Sequence, residues 1–149
     1  MQNSLSIKEA SDMEEEEPVM ILIMEESGLT LFSCRFQAFD QINDQLIGGL
    51  LTAINAFGNE IFKGSGVIDH IVCQDYTLMM RLVDSFTFCY VFKGKSQVTA
   101  VNRLENFVFQ VRNTFSIWKY LIECTKSKQK FKILRSTIMM NILSEVFHF

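Results

Sequence analysis

Few stretches of this 149-residue chain hold residues of the types that do chemistry. Asp69-His70, just downstream of Ser65, has the composition of a hydrolase triad but not its geometry. Adjacent residues of a strand-like run point to opposite faces, so Asp69 cannot orient the His70 imidazole. A metal site would combine His70 with Cys34, Cys73 or Cys89. His70 and Cys73 stand three apart, which again puts them on opposite faces of a regular strand. The cysteines, Cys34, Cys73, Cys89 and Cys124, include no pair at metal-ligand or redox-motif spacing. Cys34, Cys73 and Cys89 lie in strand-like runs, where a thiol behaves as a small hydrophobe. We read all of them as reduced thiols and the compartment as cytoplasmic. Gly64-Ser65-Gly66 follows a helical pattern, precedes a strand and is not followed by Gly-Lys-Ser/Thr, so it is a loop and not a phosphate cradle. Acid, base and nucleophile nowhere converge. The expectation is a non-enzyme without catalytic residues, metal ligands or cofactor.

Charge is distributed unevenly. Glu9, Asp12, Glu14, Glu15, Glu16 and Glu17 face Lys8 alone in the first 17 residues. That stretch has no hydrophobic periodicity and reads as a disordered, solvated acidic tail. Lys119, Lys126, Lys128, Lys130, Lys132 and Arg135 cluster near the other end, with only Glu123 among them. They form a solvated helix face or turn, or a contact for a partner or for anionic lipid. Nucleic acid is not an expected partner. The net charge is −3, and aromatic residues fall on core-like stripes instead of alternating with lysines. The head has no apolar segment of a secretion signal, and no uncharged run reaches the roughly 20 residues of a membrane span.

Since chemistry is thin, the positioning elements carry the reading. Residues 18–149 are expected to be one domain, with 114–149 as its C-terminal helical part. Val19 to Met24 is a continuous apolar run, the pattern of a strand covered on both faces. Glu25 to Gly28 supplies a turn, and Leu29 to Phe36 a second, more exposed strand. Asp40 can cap a helix on which Ile42, Leu46, Leu50, Ile54, Phe57 and Ile61 recur at helical spacing, ending near Phe62. Gly48 and Gly49 inside it each cost about 1 kcal/mol relative to Ala, a cost that close approach of another backbone would offset. Strands follow at Val67–Cys73, read as an edge, at Tyr76–Val83 and at Phe86–Phe92. In the last, Phe86, Phe88, Tyr90 and Phe92 share one face by period two. This run and the first should lie side by side at the sheet centre. Ser96 can cap a helix with the stripe Val98, Val101, Leu104, Val108 and Val111. Asn113-Thr114 breaks it, Trp118, Leu121 and Ile122 begin another, and after "KSKQK" the pattern resumes with Phe131, Leu134, Ile138, Ile142 and Val146. The fold class is α/β in layers, or α+β: a five-stranded, mainly antiparallel sheet with one helix on one face and C-terminal helices on the other.

"VMILIMEESGLTLFSCRF", "LIGGLLTAINAFGNEIF" and "IDHIVCQDYTLMMRLVDSFTFCYVFKGKS" together resemble the longin-like proteins of Asgard-type archaea, relatives of the longin and roadblock superfamily. The likeness spans about Val19 to Asn113, and its β-β-α-β-β-β-α-α order is that of longin proper; a roadblock domain would open with a helix. The resemblance implies a non-enzymatic module of vesicle trafficking and small-GTPase regulation, one that pairs with itself or with another longin or roadblock-type domain, or holds a small Ras-like GTPase. In this family the first helix and the neighbouring sheet edge often form the pairing surface. Carried over, that makes Gly48, Gly49, Ala53 and Phe57 interface candidates, with Ile68 and His70 on the edge. A SNARE-type relative would continue into a heptad segment and a membrane anchor, and this chain has neither. The alternative function is a membrane-peripheral adaptor that uses Lys126, Lys128, Lys130, Lys132 and Arg135. The amphipathic "FKILRSTIMMNILSEVFHF" could pack on the sheet, lie on a membrane or cap a partner.

Overall fold

A computed structural model describes residues 16–25, 30–36, 69–73, 75–94, 97–127 and 137–148. They form strands β1 (Glu17–Glu25), β2 (Thr30–Arg35), β3 (Asp69–Cys73), β4 (Tyr76–Val83) and β5 (Phe86–Lys93), then helices α1 (Gln97–Asn113), α2 (Phe115–Ser127) and α3 (Thr137–Phe147). The five strands make one antiparallel sheet in the order β2-β1-β5-β4-β3. The chain thus has the expected α+β architecture, with the first and fifth strands paired at the centre.

The central pair is buried on both faces, as its unbroken apolar sequence requires. On one face Ile21, Ile23, Phe86, Phe88, Tyr90 and Phe92 meet the helices, while on the other Leu22, Met24, Leu78, Met80, Cys89 and Val91 form a second cluster. The β1–β5 register shifts between Pro18 and Met20. This irregularity accounts for Val19 and Met20, sequence neighbours, joining the same cluster. A proline without an N–H is tolerated here, at the start of a strand and beside a bulge. Strands β4 and β5 join through Asp84-Ser85, with Asp84 at φ 55, a left-handed turn conformation that Asp adopts more readily than most residues.

All three described helices belong to the first face. Helix α1 buries Ala100, Leu104, Phe107, Val108 and Val111. The expected stripe was rotated slightly: Val98 is 71% exposed, Val101 is only half-buried, and Ala100 with Phe107 takes the inner line. A helical face about 100° wide can be drawn through either set, and contact with Phe88 selects the one containing Phe107. The break at Asn113-Thr114 is real. Asn113 Nδ2 donates to the Phe109 carbonyl at 2.7 Å and Thr114 Oγ1 to that of Gln110 at 2.7 Å, closing α1. The Thr114 carbonyl then accepts from the Ile117 and Trp118 N–H groups at 3.0 Å, opening α2. Ile117 and Leu121 are the inward residues of α2, and Ile122 points out.

Helix α3 packs against α1. Its inner line is Met139, Ile142, Leu143, Val146 and Phe147, whereas Ile138 is exposed. Phe147 is the closing piece. Its ring lies 4.6 Å from that of Phe36, 5.1 Å from Tyr90 and 5.7 Å from Phe107. His148, at φ 59, ends the helix by donating its N–H to the Ser144 carbonyl. Of the three placements open for the C-terminal amphipathic segment, residues 137–147 therefore take the first and pack within the domain. The expected helix over Asp40–Phe62, the loop at Gly64–Gly66, and Phe131 and Leu134 lie outside the described residues.

Replacing Phe147 with Ala should cost about 3–5 kcal/mol by the usual Phe-to-Ala penalty in a core, read from urea unfolding. Val98→Ala, on the outer face, should stay within about 0.5 kcal/mol of the parent.

Candidate interaction surface

Of the residues singled out for chemistry, Ser65 lies outside the described residues. His70 is exposed on β3, and no three His, Cys, Asp or Glu side chains among the described residues could share a metal ion. Cys89 is fully buried and its thiol is pushed up to about 12 by loss of solvent, so it is an inert core residue. Cys34, half-buried, and Cys124, buried in the helical layer, also have raised values, chiefly from burial. Cys34, Cys89 and Cys124 are free thiols.

Among the described residues the sheet ends on β3. Strand β3 pairs with β4 through His70↔Met79, Ile71↔Leu78 and Val72↔Thr77. Ile71 leans on the second core cluster, so His70 and Val72 emerge on the face that carries the helices. Helix α1 does not screen them: Val72 is 62% exposed and His70 is exposed too. The α1 residue that reaches toward this side is Glu105, whose Oε1 lies 2.9 Å from Arg81 Nε of β4. A short outer strand with an uncovered β-branched side chain is a surface to which another strand can add. Of the interface candidates, only His70 falls among the described residues; Gly48, Gly49, Ala53, Phe57 and Ile68 lie outside them. Of the basic candidates, Lys126 stands exposed in the last turn of α2, and Lys128, Lys130, Lys132 and Arg135 lie outside.

A buried polar centre sits where the acidic head meets the sheet. Glu16 is 3% exposed, which corrects its reading as part of a solvated run, and Glu17 begins β1. The Glu16 carboxylate accepts from Tyr90 Oη at 2.6 Å through one oxygen and from Thr99 Oγ1 at 2.6 Å through the other. Arg103 Nη1 lies 3.3 Å from both the Glu16 carboxylate and its backbone carbonyl. Thr99 is in the first turn of α1, which has no acidic residue of its own, so Glu16 supplies the negative charge that a helix N-terminus favours. Gly94, at φ +107, lets the chain pass: a Cβ there would stand 3.4 Å from the Glu16 Cα. Position within the Glu14–Glu17 run gave no sign of this. The usable signal was Arg103, a cation on the inner side of an otherwise apolar helix, which needs a buried partner.

No family model matches this chain, and no curated protein matches it. Among solved structures, MglC from Myxococcus xanthus aligns with 57% of this chain and 76% of its own, at 12% identity and a TM-score of 0.44. No helix among the described residues is long and apolar enough to cross a membrane.

Glu16→Ala should destabilise the domain by about 3–5 kcal/mol, because it strands the Arg103 charge. The pH response has a definite sign. Burial, and then the hydrogen bond and charge of Glu16, raise the Tyr90 hydroxyl well above its ordinary 10.0, with Arg103 opposing. The folded chain keeps this proton where the unfolded chain releases it. Stability from this group is therefore complete below pH 10 and declines as pH rises beyond it. An absorbance titration of phenolate should show Tyr90 ionising only together with unfolding, and Tyr90→Phe should remove that step.

Proposed function

We propose that this chain is a longin-like interaction module of the Asgard-archaeal kind, which dimerises and scaffolds or regulates a small Ras-like GTPase in a trafficking-type complex. Its setting would be the cytoplasm, in part at membrane surfaces. The observation that carries this reading is the exposure of His70 and Val72 on the outermost described strand. His70 and Val72 are held outward by Ile71. The element order on both sides of the 37–68 stretch agrees with the order that the sequence resembles. A partner adding to β3 would extend the sheet through backbone hydrogen bonds, with Val72 as the apolar contact and the helix expected over Asp40–Phe62 as the second part of the interface. Specific interfaces of this kind bury about 1,600 Å² in total.

Light scattering across a concentration series should show a dimer. Val72→Lys, which places a charge on the edge, should weaken dimerisation at least tenfold while leaving the unfolding midpoint unchanged. A monomer at every accessible concentration, with no mass shift on adding small GTPases from the same cell, would remove the proposal.

A further inference from the structure

The outward line of α2 has a composition that the domain itself does not use. Phe115, Lys119, Ile122 and Lys126 are spaced four, three and four apart, which brings all of them onto one narrow strip of the helix. The strip is about 16 Å long by helical rise. Phe115 is 78% exposed and Ile122 39%, while Lys119 and Lys126 are exposed as well. Lys119 Nζ lies 5.9 Å from the Phe115 ring centre, a cation over an aromatic face. The opposite side of the same helix, Ile117, Leu121 and Cys124, is buried in the core. The strip is therefore surplus to folding.

Its occupant is indicated by charge. Glu123 flanks the strip, and no other acid follows until Glu145. Between them the sequence runs through Lys126, Lys128, Lys130, Lys132 and Arg135. Apolar side chains alternating with lysines at an exposed helix face, ahead of a basic run, match a surface that is anionic above and apolar beneath. We infer that the outer face of α2 docks on anionic lipid, with Phe115 and Ile122 entering the acyl boundary and Lys119 and Lys126 meeting the headgroups. This contact is independent of the β3 edge: dimerisation and lipid docking can fail separately. It adds to the basic segment the two apolar side chains that make binding more than electrostatic.

The test is co-sedimentation of the full chain with phosphatidylcholine vesicles that contain or lack phosphatidylserine. Binding should require phosphatidylserine and weaken as salt rises. Phe115→Ser with Ile122→Ser should lower the vesicle affinity at least fivefold, and Lys119→Gln and Lys126→Gln about fivefold each. The circular dichroism spectrum should keep its native shape, because the core side of α2, Ile117, Leu121 and Cys124, is untouched. Absence of binding to phosphatidylserine vesicles overturns the inference. So does binding that the Phe115 and Ile122 substitutions leave untouched, which would assign it to lysine charge alone. A change of oligomeric state in that double variant would also overturn it, giving the strip to a second copy of the chain.

Discussion

The pairing of β1 with β5 is the constraint from which the other arrangements follow. It joins the first strand to residues some 70 positions away, and both strands are apolar on both faces. Neither can serve as an edge without exposing a row of Ile, Leu, Met or Phe. Strands of mixed character must then flank them. Strand β2, with Ser33 and Arg35 exposed, and β3, with His70 exposed, are suited to the two outer positions. The aromatic side of β5 sets the position of the helical layer. Phe88 receives Phe107 of α1 edge-on, Phe86 receives Trp118 of α2, and Tyr90 receives Phe147 of α3. One strand thus meets every described helix through an aromatic contact. Such contacts favour particular ring angles as well as burying area, so they fix orientation as well as proximity.

Glu16 solves a different problem. Hydrophobic burial is non-directional and leaves the end of a sheet free to fray. A carboxylate bonded at once to a strand hydroxyl, a helix hydroxyl and a guanidinium fixes the start of β1, the middle of β5 and the first turns of α1 in one arrangement. The ion pair is nearly dry, with Glu16 and Arg103 side chains 0% and 9% exposed. In such a setting the net gain over an apolar substitute is small, because desolvation opposes attraction. The loss of one partner is costly, so the pair enforces a unique geometry more than it adds stability. The acid, the base and the phenol of this centre are occupied with one another.

The sequence made the central strands legible because a double-sided apolar run has few other solutions. The period-two set Phe86, Phe88, Tyr90 and Phe92 predicted one face of β5 in full, and Asn113-Thr114 marked the helix break. What it concealed follows from degeneracy. Two overlapping apolar lines run along α1, and only the position of Phe88 chooses between Val98 and Phe107. Four consecutive glutamates look alike, and their sequence does not say which one turns inward; Gly94, Thr99 and Arg103, some 80 residues on, make the choice. The outer position of β3 was legible, since an edge is deducible from strand character. The outer strip of α2 was hidden because Ile122 shares helical spacing with Trp118 and Leu121, and spacing alone does not say that it points out.

The two exposed surfaces differ in the physics they offer, and that difference bears on how the domain could be used. An edge strand presents backbone donors and acceptors at a fixed spacing of about 4.7–4.9 Å from its next neighbour, so it selects a partner by register and tolerates little sideways error. On β3 the exposed Val72 would add an apolar contact at one position of such a pairing. The α2 strip imposes no register. Its two apolar side chains and its lysines can meet a fluid surface in any lateral position, with a strength that follows salt and lipid charge. A directional contact combined with a non-directional one lets a domain hold a particular protein while remaining free to diffuse along a membrane. Neither contact draws on the interior, because Ile71 on one side and Ile117 with Leu121 on the other already anchor these elements to the core.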